Sequence, residues 1–259
     1  MNEKDKTLGL RSVVSISVGL VIATSCLVSL GQGAGSIGVT FIGAMVIACL
    51  LNMTTVASLA ELNALMPNTT GGLAQYTLTS LGPFPTLISM VGGYLICNIM
   101  SCGVEASIFS YAMASTIHLP IPSLMYTLVM TVIVMVANLY GVDMFAKIQD
   151  IVAFLLVGSM LILGAVGMLG LGTGQEVVQP YNMAVDLKEV ISMVAVAFWL
   201  FIGAEYVIPV SKNVRNAKRN VPLGMMIGLG LICVVQSVMV LGYRRVMIRP
   251  NTSDCGPLT

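Results

Sequence analysis

An all-α integral membrane protein, a succession of long apolar helices, is the fold class the sequence predicts, and three observations predict it. Hydrophobic residues make up 57% of the chain and charged residues 9%, whereas soluble domains carry about a quarter charged residues. Residues 12–60, 62–104, 106–142 and 151–175 contain no Asp, Glu, Lys or Arg. Clusters of turn-forming residues then divide these runs into lengths that suit a bilayer. A mean hydropathy of +0.95 excludes an ordinary water-soluble domain.

The elements follow in order. The polar segment 1–12, with Lys4, Lys6 and Arg11, precedes a full-length apolar stretch that no small-residue cleavage site interrupts, so it reads as a tail before a retained span, not a signal peptide. One crossing takes about 20 residues at 1.5 Å rise per residue. The 49-residue run 12–60 therefore holds two spans, predicted at 13–30 and 38–60, with Gly31-Gln32-Gly33-Ala34-Gly35 as the turn between them. Five further spans are predicted at 85–113, 121–139, 148–171, 189–209 and 221–243. Their separators are Pro67-Asn68 through Gly71-Gly72, Leu119-Pro120-Ile121-Pro122, Tyr140-Gly141-Val142-Asp143, the polar stretch Thr173–Asp186 and the basic stretch Lys212–Asn220. Five of the six cysteines, Cys26, Cys49, Cys97, Cys102 and Cys233, fall in apolar stretches, as free thiols and not a disulfide framework.

Charge placement orients the chain. The formal charge of +1 is no guide to partners, because it hides an uneven distribution. With the N-terminus cytoplasmic, the inner segments hold Lys4, Lys6, Arg11, Lys147, Lys212, Arg215, Lys218 and Arg219, and the outer loop 172–188 holds only Lys188. Lys and Arg stay on the cytoplasmic side, so eight against one predicts a multi-pass cell-membrane protein with its N-terminus inside. Arg244, Arg245 and Arg249 would then lie outside, so the tail 244–259 breaks the pattern, and the expectation is a chain ended early.

Two carboxylates stand inside spans, Glu105 in the third and Glu205 in the sixth. Each costs up to about 3 kcal/mol at the bilayer centre if unpaired. Each either faces a neighbouring helix or serves a transport path. Asn98 lies seven residues before Glu105, on the same helix face, and this polar stripe faces either a water-filled path or another helix. The sixth span reads Phe198-Trp199-Leu200-Phe201-Ile202-Gly203-Ala204-Glu205, holds the only Trp and ends at Pro209. Gly203 and Pro209 mark it as either a broken helix around a ligand or ion site, or a helix with a packing glycine and a terminal proline. The first span offers the small, hydroxylated run Ala23-Thr24-Ser25-Cys26. His118 reads as a solvated loop residue, and with one His and scattered cysteines no metal ligand set is visible. No motif calls for a cofactor, and no nucleic-acid partner is expected. Neither a Gly-x-Ser-x-Gly elbow nor paired intramembrane Asp residues point to an enzyme.

Two motifs together bring a resemblance. Glu61-Leu62 followed by Pro67, Gly71-Gly72 and Tyr76 is one, and Phe201–Glu205 with the loop Lys212–Pro222 is the other. To about residue 243 the chain resembles the amino acid, polyamine and organocation superfamily of permeases, and its sixth span looks especially like the arginine/agmatine exchanger branch. The resemblance implies a LeuT-like fold of two inverted five-helix repeats with helices one and six broken at the midplane. Spans one to five, 13–171, would form the first repeat and spans six and seven, 189–243, an incomplete second. It also implies roles: Ala23, Thr24, Ser25 and Cys26 lining the unwound part of helix one, Asn98 hydrogen-bonding the substrate, Phe201 and Gly203 in the pocket wall, Trp199 as aromatic gate, and Glu205, with Glu105, at the gate or proton-coupling position. Thr24 and Ser25 stand where the family has a Gly-rich break, and the fifth span has no Lys between Ile151 and Leu171.

The expected function is secondary active transport of an amino acid or related amine by alternating access, with proton or sodium coupling or exchange, across the lipid bilayer. Only five plus two of ten helices are present, so the chain alone is expected to be inactive. The alternatives are a seven-helix receptor and a membrane subunit that binds a partner; a retinal protein is disfavoured because residues 221–243 contain no Lys.

Overall fold

The computed structural model describes residues 7–66, 71–117, 121–139, 142–171 and 187–243. Lys4, Lys6, Pro67, His118, Tyr140, Gly141, residues 172–186 of the outer loop and the tail 244–259 lie outside the described residues. The described residues are helical apart from short connections and one isolated bridge. The helices are α1 Leu10–Val21, α2 Thr24–Ile37, α3 Phe41–Leu65, α4 Leu73–Leu81, α5 Pro83–Ile88, α6 Cys97–Thr116, α7 Ser123–Leu139, α8 Val142–Leu169, α9 Leu187–Trp199 and α10 Ala217–Tyr243. A π-helical segment, Ser89–Ile96, joins α5 to α6, and a 3-10 segment, Ala204–Asn213, follows α9.

Among the described residues, five stretches are long and apolar enough to cross a membrane: Thr24–Leu65, Pro83–Thr116, Ala146–Leu169, Leu187–Asn213 and Ala217–Tyr243. The first of them turns a corner at Gly38–Thr40, where Gly38 has φ +61°. This corrects the expected turn at Gly31–Gly35, which lies inside α2. Gly33 serves packing, not chain reversal, since a Cβ there would collide with the Phe41 ring. Intrinsic helix cost gives way to close contact where neighbours press on both sides.

The first and sixth spans are each interrupted. Helix one stops at Val21 and restarts at Thr24, and helix six stops at Trp199 and continues as 3-10 turns from Ala204. Both cross at the centre, packed against α3 and α10, and their side chains Ile16, Leu30, Leu200, Phe201 and Val207 are almost wholly buried. α10 is central because its small residues admit neighbours. A Cβ at Gly224 would overlap Val13 of α1, and one at Gly228 would lie 2.5 Å from Ser17 Oγ. On the other side, Gly167 of α8 faces the backbone of Gly242, where a Cβ would lie 2.6 Å from the Gly242 carbonyl oxygen. Lipid tails are as apolar as Leu, so such backbone-to-backbone approach supplies much of the attraction between membrane helices.

One end of the molecule is tied by backbone pairing. Leu8 N–H donates to the Asn213 carbonyl at 3.1 Å and Arg215 N–H to the Leu8 carbonyl at 2.8 Å. At the foot of α1, Ser12 Oγ donates to Asp150 Oδ2 of α8 at 3.3 Å. These contacts gather Arg11, Lys147 and the basic segment 212–219 at one end, the grouping on which the charge rule rests. α4 lies beside this region. Its buried Tyr76 donates to Asn63 Oδ1 at 3.4 Å, and Asn63 Nδ2 donates to the Ala217 carbonyl at 3.5 Å. The motif around Glu61 and Tyr76 therefore joins α3, α4 and the start of α10.

Candidate functional site

The two helix breaks meet. Gly203 has φ +124°, a conformation that only glycine adopts without strain. A Cβ at that position would lie 2.7 Å from the Leu20 carbonyl oxygen, so glycine is required twice over, for torsion and for room. Its backbone thereby presses directly on the end of α1.

Each break leaves backbone groups that water cannot satisfy inside a bilayer, at several kcal/mol apiece if unmet. Side chains meet them, one from α6, one from α3 and one from helix six itself. Ala23 is the N-cap of α2 and has no side chain to bond the first amides. Glu105, from α6, does so instead: Thr24 N–H donates to Oε2 at 2.8 Å, and Ser25 N–H to Oε1 and Oε2 at 3.1 and 3.3 Å. The carboxylate also sits at the positive end of a helix dipole. In the other break, Gly203 N–H donates to Glu205 Oε2 at 3.0 Å. Asn52 of α3, which the sequence reading missed, donates through Nδ2 to the Phe198 carbonyl at 3.5 Å, supplying a partner near the end of α9.

The hydroxylated run of helix one and the aromatic run of helix six are in contact. Trp199 Nε1 donates to Ser25 Oγ at 3.3 Å, and Cys26 Sγ lies 3.2 Å from the Val21 carbonyl and 3.9 Å from that of Trp199. Trp199 remains 42% exposed, so the described helices leave part of its indole uncovered. Phe201, in contrast, is 1% exposed and packs in the apolar core, away from any opening. Asn98 is joined to helix six. Its Oδ1 accepts from Tyr206 Oη at 2.7 Å while its Nδ2 donates to the Tyr94 carbonyl at 2.6 Å.

The polar stripe of the third span therefore faces neighbouring helices, Asn98 reaching the second half of helix six and Glu105 the second half of helix one. Tyr206 and Tyr94, whose rings are 5.5 Å apart, belong to the same junction and were not singled out from sequence. Tyr206 directly follows Glu205, and Tyr94 lies one helical turn before Asn98, so periodicity from the chosen residues could have found both. Tyr94 also lies in the π-helical segment, a geometry frequent at functional sites.

A multi-pass helical protein whose two interrupted spans meet at a polar junction resembles the construction of secondary transporters, where broken helices hold the substrate near the bilayer midplane. Residues 12–243 match the amino acid permease family, and the chain belongs to that family. Curated relatives are similar at low identity. The chain is 26% identical over 243 residues to the human (Homo sapiens) cystine/glutamate transporter and to that of Pongo abelii, matches that cover 89% of this chain and 46% of theirs. It is 26% identical over 259 residues to the branched-chain amino acid permease BcaP of Bacillus subtilis strain 168, covering 91% of this chain and 53% of BcaP. The chain thus spans about half the length of the curated relatives it matches.

Proposed function

We propose that the junction of the two broken helices is the substrate site of a secondary transporter for an amino acid or related amine, working by alternating access in the cell membrane with the N-terminus cytoplasmic. The observation that carries this reading is the contact of Gly203 with the Leu20 carbonyl, 2.7 Å from where a Cβ would be, which makes one break the bearing surface of the other. Helices one and six then rock as a unit against α6 and α7. Ala23–Cys26, Asn98 and Gly203 line the site, Trp199 closes it from its exposed side, and Glu205 stands at the gate. Phe201, buried in the core, contributes by shaping the helix-six backbone. Coupling to a proton, to sodium or to exchange is compatible with the two seated carboxylates. The relatives named above are transporters, which supports transport over a receptor, enzyme or partner-binding role.

Because those relatives are about twice as long, the 259-residue polypeptide by itself is expected to hold the site without completing a transport cycle. Expressed in a host lacking its own amino-acid uptake, it should give no saturable uptake above vector control, and saturable uptake would sink that expectation. The site itself is tested by ligand binding to the purified chain, with Trp199→Ala expected to weaken it.

A further inference from the structure

We propose that Cys49 of α3 and Cys233 of α10 are a paired-thiol site that a lipid hydroperoxide oxidises to a disulfide, stapling the two helices together inside the membrane.

The pairing follows from helix geometry. Cys49 is buried, and its Sγ lies 3.8 Å from the Leu229 carbonyl oxygen. In an α-helix that carbonyl accepts the N–H of the residue four positions on, which here is Cys233. Cα–Cβ bonds tilt toward the helix N-terminus, so the Cys233 side chain leans back over the Leu229 turn, where Cys49 already sits. The two thiols accordingly share a hydrogen bond. Contacts farther along hold this register, with α3 and α10 antiparallel: a Cβ at Gly230 would meet Met53 Cε at 3.9 Å, and Asn63 Nδ2 donates to the Ala217 carbonyl at 3.5 Å. The remaining described cysteines are placed otherwise. Cys26 is buried against the Val21 and Trp199 carbonyls, and Cys97 and Cys102 share α6 at a spacing that turns them to different faces.

All the described cysteines are free thiols. Cys49 and Cys233 stand inside the apolar stretches Thr24–Leu65 and Ala217–Tyr243, so the oxidant that reaches them is one that dissolves in hydrocarbon, a peroxidised acyl chain. Cys233 is partly exposed while Cys49 is enclosed, which makes Cys233 the first to react. Its sulfur attacks the terminal peroxide oxygen and the O–O bond breaks. The thiol proton passes to the departing oxygen, which leaves as the lipid alcohol, and Cys233 becomes a sulfenic acid. Cys49 Sγ then attacks that sulfur. The S–S bond forms, the S–O bond breaks, and the hydroxyl leaves with the Cys49 proton as water. Two thiols are oxidised by two electrons, and the hydroperoxide is reduced to an alcohol and water. The bridge closes the chain from 49 to 233, a loop that contains the helix-six break, and closing so long a loop removes freedom from the unfolded chain.

The test treats the purified 259-residue chain in lipid nanodiscs with cumene hydroperoxide, a membrane-soluble stand-in for a lipid hydroperoxide, and maps disulfides by mass spectrometry of non-reduced, alkylated peptides. The expected linkage is intramolecular, joins Cys49 to Cys233 and reopens with dithiothreitol. Thermal unfolding should rise by about 5 °C or more on oxidation and fall back on reduction. Cys49→Ala and Cys233→Ala should each abolish both the linkage and the shift, whereas Cys97→Ala should leave both in place. Linked Cys49–Cys233 peptides no more abundant than other pairings, or equally abundant when the chain is oxidised after denaturation in sodium dodecyl sulfate, overturn the pairing. No linkage at all overturns the site, and oxidation that ends at a sulfinic acid on Cys233 overturns the second step. A linkage that leaves the unfolding temperature unchanged overturns the staple. The wild-type peptide map is decisive by itself, so a Cys49→Ala chain that folds poorly does not shelter the proposal.

Discussion

Gly203→Ala is the sharpest probe of the crossing. The added methyl group would sit 2.7 Å from the Leu20 carbonyl oxygen and 3.2 Å from both the Leu20 carbonyl carbon and Val21 Cα, all of them backbone atoms that cannot rotate away. Residue 203 would also have to hold φ +124° with a side chain. Torsional strain of about 1–3 kcal/mol and overpacking of about 1–3 kcal/mol together predict a loss of about 2–6 kcal/mol. With about 2–4 °C per kcal/mol for a domain of this size, thermal unfolding in detergent should fall by on the order of 5–20 °C. Gly19→Ala is the matched control. Its Cβ would meet the amide end of Gln149, a flexible side chain that can turn aside, so the loss there should be markedly smaller. Equal melting temperatures for Gly203→Ala and wild type would mean that the two breaks do not touch as described. A loss no larger than that of Gly19→Ala would show that backbone contact is not the cause.

Two further perturbations separate packing from latching. Gly167→Ala would place a Cβ 2.6 Å from the Gly242 carbonyl oxygen, so a loss of about 1–3 kcal/mol is expected, whereas Gly158→Ala on the same helix meets nothing within 4 Å and should be neutral or gain up to about 1 kcal/mol. Thermal unfolding of the pair decides this, and equal shifts would refute the α8–α10 contact. Arg215→Pro removes the N–H that bonds the Leu8 carbonyl at 2.8 Å, and the preceding Val214 is already extended, at φ −88° and ψ 129°, as a residue before proline prefers. Losing about 0.5–1.5 kcal/mol there should speed hydrogen exchange at Leu8 about 2- to 10-fold, and unchanged protection would show that the pairing does not hold that end together.

The sequence and the structure agree where the controlling forces are local or collective, and part where one contact from elsewhere decides. Apolar length and turn chemistry pointed to a succession of crossings, and five described stretches are long and apolar enough to be such, because the bilayer imposes length on each one separately. The Gly31–Gly35 run misled for a physical reason: glycine marks either a turn or a close approach, and Phe41 packed on Gly33 makes it the second. Gly203 could be singled out because torsion leaves few alternatives at a break. Asn52, by contrast, is an ordinary helix residue until the fold sets it against the Phe198 carbonyl of helix six.

Helix one shows this most clearly. No glycine interrupts it between Leu20 and Leu30, and by local propensity nothing forces Ile22 and Ala23 out of the helix. The break persists because its freed amides have a better partner than a continued helix could offer them. That partner is the Glu105 carboxylate, 81 residues from Thr24 in sequence. Charge-assisted hydrogen bonds of this kind are about twice as strong as neutral ones, and the α2 dipole adds to them. The same carboxylate that appeared in the sequence as an intramembrane liability thus shapes the backbone where helix one breaks. Removing it should loosen the break: Glu105→Ala leaves the Thr24 and Ser25 amides without that acceptor, so their hydrogen exchange should quicken, and unchanged protection at both would show that Glu105 does not hold the break.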